Sequence, residues 1–190
     1  IREAAFTRFR AAVDGRVRRA GSDVIKKEWR ALAGLAPHQL ARAPVFPAIL
    51  RSYASIRYGK DLETTLGELV RCRTIQDSAL TITANPAFVR ATAIVDSLAR
   101  AHEFEFSVLV DGLALELAFG TGADTLGIWG HLDVVPADTT GWSVDPWAGI
   151  LKEGGVLEAR GAEDDKGPFL ASLFALRALR DTGVPLTRRV

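Results

Sequence analysis

A histidine and an aspartate stand two positions apart at the end of an apolar run. His131 and Asp133 follow Leu126-Gly-Ile-Trp-Gly, and on a strand both side chains would lie on one face. A neutral imidazole can bind a metal ion through one ring nitrogen while the other N–H donates to a carboxylate. We therefore interpret His131 as a metal ligand and Asp133 as the carboxylate that orients it. The alternative is a hydrogen-bonded structural histidine, which is the more common role for one at a strand end.

Two adjacent aspartates form a second motif. Asp164 and Asp165 stand directly before Lys166-Gly-Pro168 and a helical pattern. Neighbouring carboxylates repel each other and lose hydration at a helix entrance, and a cation would relieve both costs. The alternative is that the pair only complements the helix macrodipole, aided by Lys166.

The elements around these motifs would bring them to one place. The run from Thr125 to Leu132 is apolar on both faces, which predicts a buried central strand. Pro168 opens a helix from Phe169 to Arg180, which Gly183 closes. In an α/β sheet, strand ends and helix starts present ligands to a cleft. We therefore expect His131 and Asp164 to share a divalent cation.

The rest of the chain predicts further helices and two hairpins. Phe104 to Val110 and Leu113 to Phe119 read as strands joined at Asp111-Gly112 by a type I′ turn, and a smaller hairpin should cross Glu153-Gly-Gly155. Asn85-Pro86 is typical of a helix start. Earlier helices are expected through Phe6, Phe9, Val13 and Val17, from Ser22 to about Ala33, up to Tyr58 and Gly59, and after a cap at Asp61. The fold class is α/β, a layered domain with a mixed sheet over 61–190, preceded by a basic helical N-terminal extension over 1–60.

Charge and composition restrict the partners. Residues 1–60 hold 13 Lys/Arg against 4 Asp/Glu, and residues 61–190 hold 11 against 19. We interpret the basic part as a solvated helix face or one that packs on the acidic remainder, with no nucleic-acid motif. One cysteine, no apolar stretch of about 20 residues and no signal-like start predict a cytoplasmic protein without membrane contact. A chain without methionine is also expected to be incomplete.

Three blocks in order resemble the M20 family of metallopeptidases, particularly its PepV-like dipeptidase branch. They are His131-Leu-Asp-Val-Val-Pro136, Gly141-Trp-Ser-Val-Asp-Pro-Trp147 and Ala159-Arg-Gly-Ala-Glu-Asp-Asp-Lys-Gly-Pro168. The resemblance covers roughly residues 61–190. It implies a phosphorylase/hydrolase-like catalytic domain, only part of which is present.

The resemblance also implies roles for single residues. His131 corresponds to the terminal ligand of one metal ion, Asp133 to the catalytic-site carboxylate that steers it, and Asp164 to the carboxylate that bridges two metal ions. The Asp164–Asp165 peptide bond is cis in family members. Glu158 departs from the family, which usually has an aromatic residue there, so the local wall of the cleft is expected to differ.

The activity implied is metal-dependent hydrolysis of the amide bond of dipeptides. Two divalent ions would be needed, with zinc expected and manganese or cobalt as alternatives. The family's Glu-Glu pair, its further acidic ligand and its distant histidine are not in this sequence. Alternatives are an N-acyl-amino-acid amidohydrolase of the same family (a desuccinylase, deacetylase or carboxypeptidase) and a non-catalytic remnant that acts in binding. The expected partners are a dipeptide or an N-acyl amino acid, and the oligomeric state is left open.

Overall fold

Helices and two small sheets make up the regular structure of the residues that are described. The computed structural model describes residues 2–20, 27, 29–30, 32–184 and 186–190. The helices are α1 (Arg2–Ala20), α2 (Pro37–Leu40), α3 (Phe46–Val70), α4 (Pro86–Ala101) and α5 (Lys166–Thr182). The strands are β1 (Glu105–Leu109), β2 (Ala114–Ala118), β3 (Asp124–Thr125) and β4 (Arg188–Arg189).

The predicted amphipathic first helix is α1. Phe6, Phe9 and Val13 are buried on one face of it, as their spacing requires. The side chain of Val17 lies outside the described residues, as does most of the helix predicted from Ser22 to about Ala33.

The prediction of two helices meeting near Gly59 was wrong. Helix α3 runs without a break through Gly59 and Asp61, so Asp61 lies inside a helix and does not cap one. A glycine in a helix interior costs only about 1 kcal/mol relative to alanine, which the buried Tyr58, Leu66, Leu69 and Val70 on the same helix can offset.

Helix α4 begins as predicted. The side-chain oxygen of Asn85 accepts a hydrogen bond from the backbone N–H of Ala87 at 3.0 Å, and Pro86 occupies the first turn. Phe88, Ala91, Val95 and Ala99 form its buried stripe.

The first hairpin is confirmed, but its turn is longer than predicted. Strands β1 and β2 are antiparallel, and the last pair of the ladder is Leu109 with Ala114. Four residues therefore connect the strands, where a type I′ turn would have needed two. Val110 and Asp111 adopt positive φ of 51° and 53° within a short 3₁₀ turn. The second hairpin is reduced to a bridge between Leu151 and Leu157.

The predicted central strand is largely absent. Strand β3 pairs in parallel with β4 over two residues, and the ladder continues only through the N–H of Leu126, which donates to Arg189. The segment from Gly127 to Leu132 is irregular, and Leu126, Ile128 and Trp129 are exposed. A strand buried on both faces needs a paired neighbour along its whole length. Within the described residues the pairing ends with β4, so this run stays without a ladder.

The chain divides into two compact units. One comprises residues 1–59 and 174–187, and its core includes Phe9, Trp29, Leu40 and Phe46. The other comprises residues 60–173 and 188–190 and holds both motifs. The α/β content of the fold class is observed, and the layered arrangement and the boundary at residue 60 remain predictions.

Candidate metal centre

The ring of His131 lies between two aspartates. Its Nε2 is 2.9 Å from Oδ1 of Asp164, and its Nδ1 is 3.1 Å from the main-chain oxygen of Asp133 and 3.3 Å from Oδ1 of the same residue. The two motifs, 33 positions apart in sequence, thus meet in the structure. About half of the His131 side chain is exposed, and that of Asp164 is 86% exposed.

The surroundings favour the protonated imidazole. Desolvation acts to lower the pKa of His131, but the hydrogen bonds to Asp133 and Asp164 and the charges of both carboxylates raise it above its usual value. Each ring nitrogen faces an oxygen acceptor, so the ring can donate on both sides when it is charged. A site that stabilises a proton in this way is rich in negative charge.

The second aspartate of the pair contacts the same histidine from a different direction. Oδ2 of Asp165 accepts a hydrogen bond from the backbone N–H of His131 at 3.0 Å. The Asp164–Asp165 peptide bond is cis, as the resemblance implied. Consecutive carboxylates therefore contact the ring and the main chain of a single residue. Sequence reasoning grouped the two aspartates but did not separate these roles.

Lys166 does not neutralise the aspartates as the alternative interpretation supposed. Its side chain is fully buried, and Nζ donates to the carbonyl oxygens of Leu69 at 2.9 Å and Cys72 at 2.7 Å. Burial lowers the pKa of this ammonium group to about 8. The ammonium caps the carbonyl end of α3.

A buried threonine supports the histidine segment from the other side. The hydroxyl of Thr74 donates to the carbonyl of Leu132, and the carbonyl of Thr74 accepts from the N–H of Val134 at 2.9 Å. Thr74 follows the C-terminal end of α3 and is completely buried. No sequence pattern pointed to it, because an isolated threonine after a helix has no distinctive spacing.

The donor set suits a divalent cation but is small. Imidazole nitrogen and carboxylate oxygen are ligands of zinc, and Nε2 of His131 and Asp164 are the pair that could hold it. Among the described residues there is no group of three or more His, Cys, Asp or Glu side chains arranged to hold a metal ion. The structure therefore brings two of the predicted residues into ligand-like proximity, with Asp133 against the other ring nitrogen.

The departure at Glu158 has a structural explanation. Its carboxylate accepts from the N–H of Ser143 at 2.9 Å, from the Ser143 hydroxyl at 2.6 Å and from Nζ of Lys152 at 2.6 Å. These contacts lower the pKa of Glu158 to about 2, with the Lys152 hydrogen bond as the largest cause. An aromatic residue could not make them, so Glu158 fixes the loop that carries Trp142.

The tryptophans of that loop pack against arginines. The guanidinium of Arg160 lies 5.5 Å from the ring centre of Trp142, and that of Arg73 lies 5.4 Å from the ring centre of Trp147. Trp147 is buried. A packing role therefore accounts for these two residues.

Among the described residues, no helix combines the length and the hydropathy that crossing a bilayer requires.

Comparison with known proteins bears on the same residues. The model of Peptidase family M20/M25/M40 matches residues 127–190. A protein of Bacillus subtilis strain 168 named "Putative dipeptidase YtjP" is 35% identical over 137 residues, which are 71% of this chain and 29% of that protein. Proteins of Staphylococcus aureus strains USA300 and N315, also named as putative dipeptidases, are each 41% identical over 81 residues, or 43% of this chain and 17% of theirs.

This chain thus spans less than a third of the length of the curated relatives it matches. The family match begins four residues before His131 and includes Asp133 and Asp164. The match and the relatives together confirm the resemblance drawn from the motifs: residues 127–190 are similar to Peptidase family M20/M25/M40.

Proposed function

We propose that this chain supplies the first part of a two-metal site in a metal-dependent dipeptidase. The observation that carries the proposal is the His131 ring, with Asp164 against Nε2 and Asp133 against Nδ1. A neutral imidazole held in this way has one nitrogen fixed as a donor and the other free to bind a cation in place of the proton.

Each residue has a distinct task in this proposal. His131 would hold one divalent ion through Nε2, and Asp164 would hold the same ion through a carboxylate oxygen and be shared with a second ion. Asp133 holds the ring through Nδ1 and keeps its tautomer. When bound, the ions supply polarisation of the scissile carbonyl and acidification of a water molecule.

The cation is proposed to be zinc, with manganese or cobalt as alternatives, because one nitrogen and one carboxylate do not select among them. The substrate is proposed to be a dipeptide, which the names of the relatives support. Cytoplasm is the proposed location, in agreement with a single buried free cysteine.

The binding part of the proposal is tested on the purified chain by calorimetric titration with zinc. Weak binding is expected, since only two ligands are present, and the His131→Ala variant should lose it. The matched control is Glu163→Ala, which removes an exposed carboxylate from the same turn as Asp164. Unchanged zinc affinity in His131→Ala would contradict the ligand role.

The catalytic part is tested with the product of the whole reading frame. Chelator-sensitive hydrolysis of dipeptides is expected there and should be abolished by His131→Ala, whereas the 190-residue chain alone should turn over no dipeptide. Cleavage of N-acetyl or N-succinyl amino acids in place of dipeptides would favour the amidohydrolase alternative. Chelator-sensitive dipeptide hydrolysis by the 190-residue chain would show that the chain is itself a sufficient enzyme.

A further inference from the structure

The main chain around the candidate ligands is fastened at three points. Asp165 accepts from the N–H of His131, Thr74 donates to the carbonyl of Leu132, and Val134 donates to the carbonyl of Thr74. The two Thr74 contacts lie on either side of Asp133. His131, Leu132 and Val134 are thus each hydrogen-bonded through their main chain to another segment, and Asp133 lies between two of these residues.

These anchors belong to one network that joins three segments of the chain. Lys166 follows Asp165 directly, and its Nζ donates to the carbonyl of Cys72, two residues before Thr74. The segments 69–74, 131–134 and 164–166 are therefore joined in a cycle of hydrogen bonds. Thr74 and Lys166 are fully buried in it, so their polar groups would be costly to leave without partners.

The two proposed ligands and the residue proposed to orient His131 are exposed to solvent. The side chains of His131, Asp133 and Asp164 are exposed, whereas the groups that hold their backbone are buried or half-buried. Fixing the peptide units on both sides of Asp133 and at the N–H of His131 limits the directions in which these two side chains can project. Ligands that need no reorganisation bind a metal ion more tightly.

We propose that Thr74 and Asp165 are positioning residues for His131 and Asp133. In this proposal neither residue would be a ligand of the cation. Thr74 acts through its hydroxyl on the Leu132 carbonyl, and Asp165 acts through its carboxylate on the His131 N–H. The effect on metal binding rests on the proposed function, whereas the effect on the order of residues 131–134 does not.

The Thr74 arm compares Thr74→Val with Thr74→Ser. Valine has nearly the shape of threonine but cannot donate to Leu132, and serine keeps the hydroxyl. We expect Thr74→Val to weaken zinc binding by about 10-fold to 100-fold, the range for loss of an outer hydrogen-bond partner, and Thr74→Ser to restore it to within about threefold. Equal loss in both variants would assign Thr74 a packing role only and would overturn its part of the proposal.

The Asp165 arm compares Asp165→Ala with Asp165→Asn. Asparagine retains an oxygen that can accept from the His131 N–H, and alanine does not. A loss of about 10-fold in zinc affinity is expected for Asp165→Ala, with recovery in Asp165→Asn. Glu163→Ala is the control for charge in the same turn. Because Asp165 is only half-buried, this arm remains decisive if Thr74→Val fails to fold.

A metal-free measurement separates this inference from the proposed function. Amide hydrogen exchange at His131 and Val134 should be about 10-fold faster in Asp165→Ala and Thr74→Val than in the wild-type chain, since one hydrogen bond is worth roughly that factor. If the wild-type chain binds no zinc but exchange is still faster in the two variants, the proposed metal site is wrong and the positioning role of Thr74 and Asp165 stands. Wild-type exchange rates in folded Asp165→Ala and Thr74→Val would overturn the positioning, whatever the zinc affinity.

Discussion

Two charged clusters in the same unit are built in opposite ways. In the cluster of Glu158, Lys152 and Ser143, a carboxylate is matched by an ammonium, and both of its oxygens accept from groups in the chain. In the cluster around His131, Asp133 and Asp164 contact the imidazole, Asp165 contacts the backbone N–H of the same residue, and Asp164 is 86% exposed. The charges of the first cluster balance each other. The second cluster has more carboxylates than the described part of the chain has cationic groups to pair with them. Such an imbalance is suited to a cation from solution.

The largest expected difference between the clusters is in zinc affinity. Asp164→Ala should weaken zinc binding by more than about 100-fold, because a direct ligand contributes more than an outer partner. Glu158→Ala, which disrupts the other cluster, should leave the affinity within about threefold of wild type. Calorimetry on both variants checks this, and equal losses would remove the distinction between the clusters.

A second test asks whether Lys166 serves the acidic cluster or the fold. Lys166→Met leaves the carbonyls of Leu69 and Cys72 without their donor, so the free energy of unfolding should fall by about 2 kcal/mol. Lys152→Met removes a partly exposed ammonium and should cost less. Urea unfolding measures both. Equal stability of wild type and Lys166→Met would mean that these buried contacts contribute nothing.

A third test concerns the space between the two motifs. An added Cβ at Gly130 would lie 2.8 Å from Oδ2 of Asp165 and 3.4 Å from Cβ of Phe169. Gly130→Ala should therefore displace the Asp165 carboxylate and lower stability by about 1 kcal/mol. A Cβ at Gly59 would contact nothing within 4 Å, so Gly59→Ala in the helix interior should instead stabilise by about 0.5 to 1 kcal/mol. Thermal unfolding measures the change in stability of each variant. A stabilising Gly130→Ala would show that a methyl group at residue 130 does not crowd the Asp165 carboxylate.

The smallest expected effect is the pH dependence of the balanced cluster. The pKa of Glu158 is depressed to about 2 in the folded chain from an ordinary value of 4.5, so its contribution to stability is complete above pH 4.5 and is lost as the pH falls towards 2. The stability difference between wild type and Glu158→Gln should shrink over that range. Acid titrations of unfolding measure it, and a constant difference would place the pKa of Glu158 near its ordinary value.

The sequence predicted the meeting of the two motifs better than it predicted the strand that leads into the first of them. The family blocks linked His131 to Asp164, and the structure brings these side chains to 2.9 Å. The apolar run from Thr125 to Leu132 has a strand-like pattern, but a ladder depends on a paired neighbour, which no local pattern reveals. Helix α3 is the reverse case, since Gly59 and Asp61 read locally as a break and packing overrides them.

The supporting residues were the least predictable part of the site. Lys166 looked like a counter-charge because it adjoins two aspartates, yet its Nζ points to carbonyls about 95 positions earlier in the chain. Thr74 contacts residues 58 positions away and has no distinguishing neighbour. Long-range hydrogen bonds of this kind have no periodicity, so single-sequence patterns do not contain them.

The nearly bare indole of Trp129 has a practical consequence. It is 94% exposed and lies two residues before His131, whereas Trp29 and Trp147 are buried. Acrylamide should therefore quench its emission in preference to that of the buried indoles. A paramagnetic cation such as Co²⁺ captured at His131 should dim the same red-shifted emission. The chain thus carries its own optical reporter beside the candidate centre.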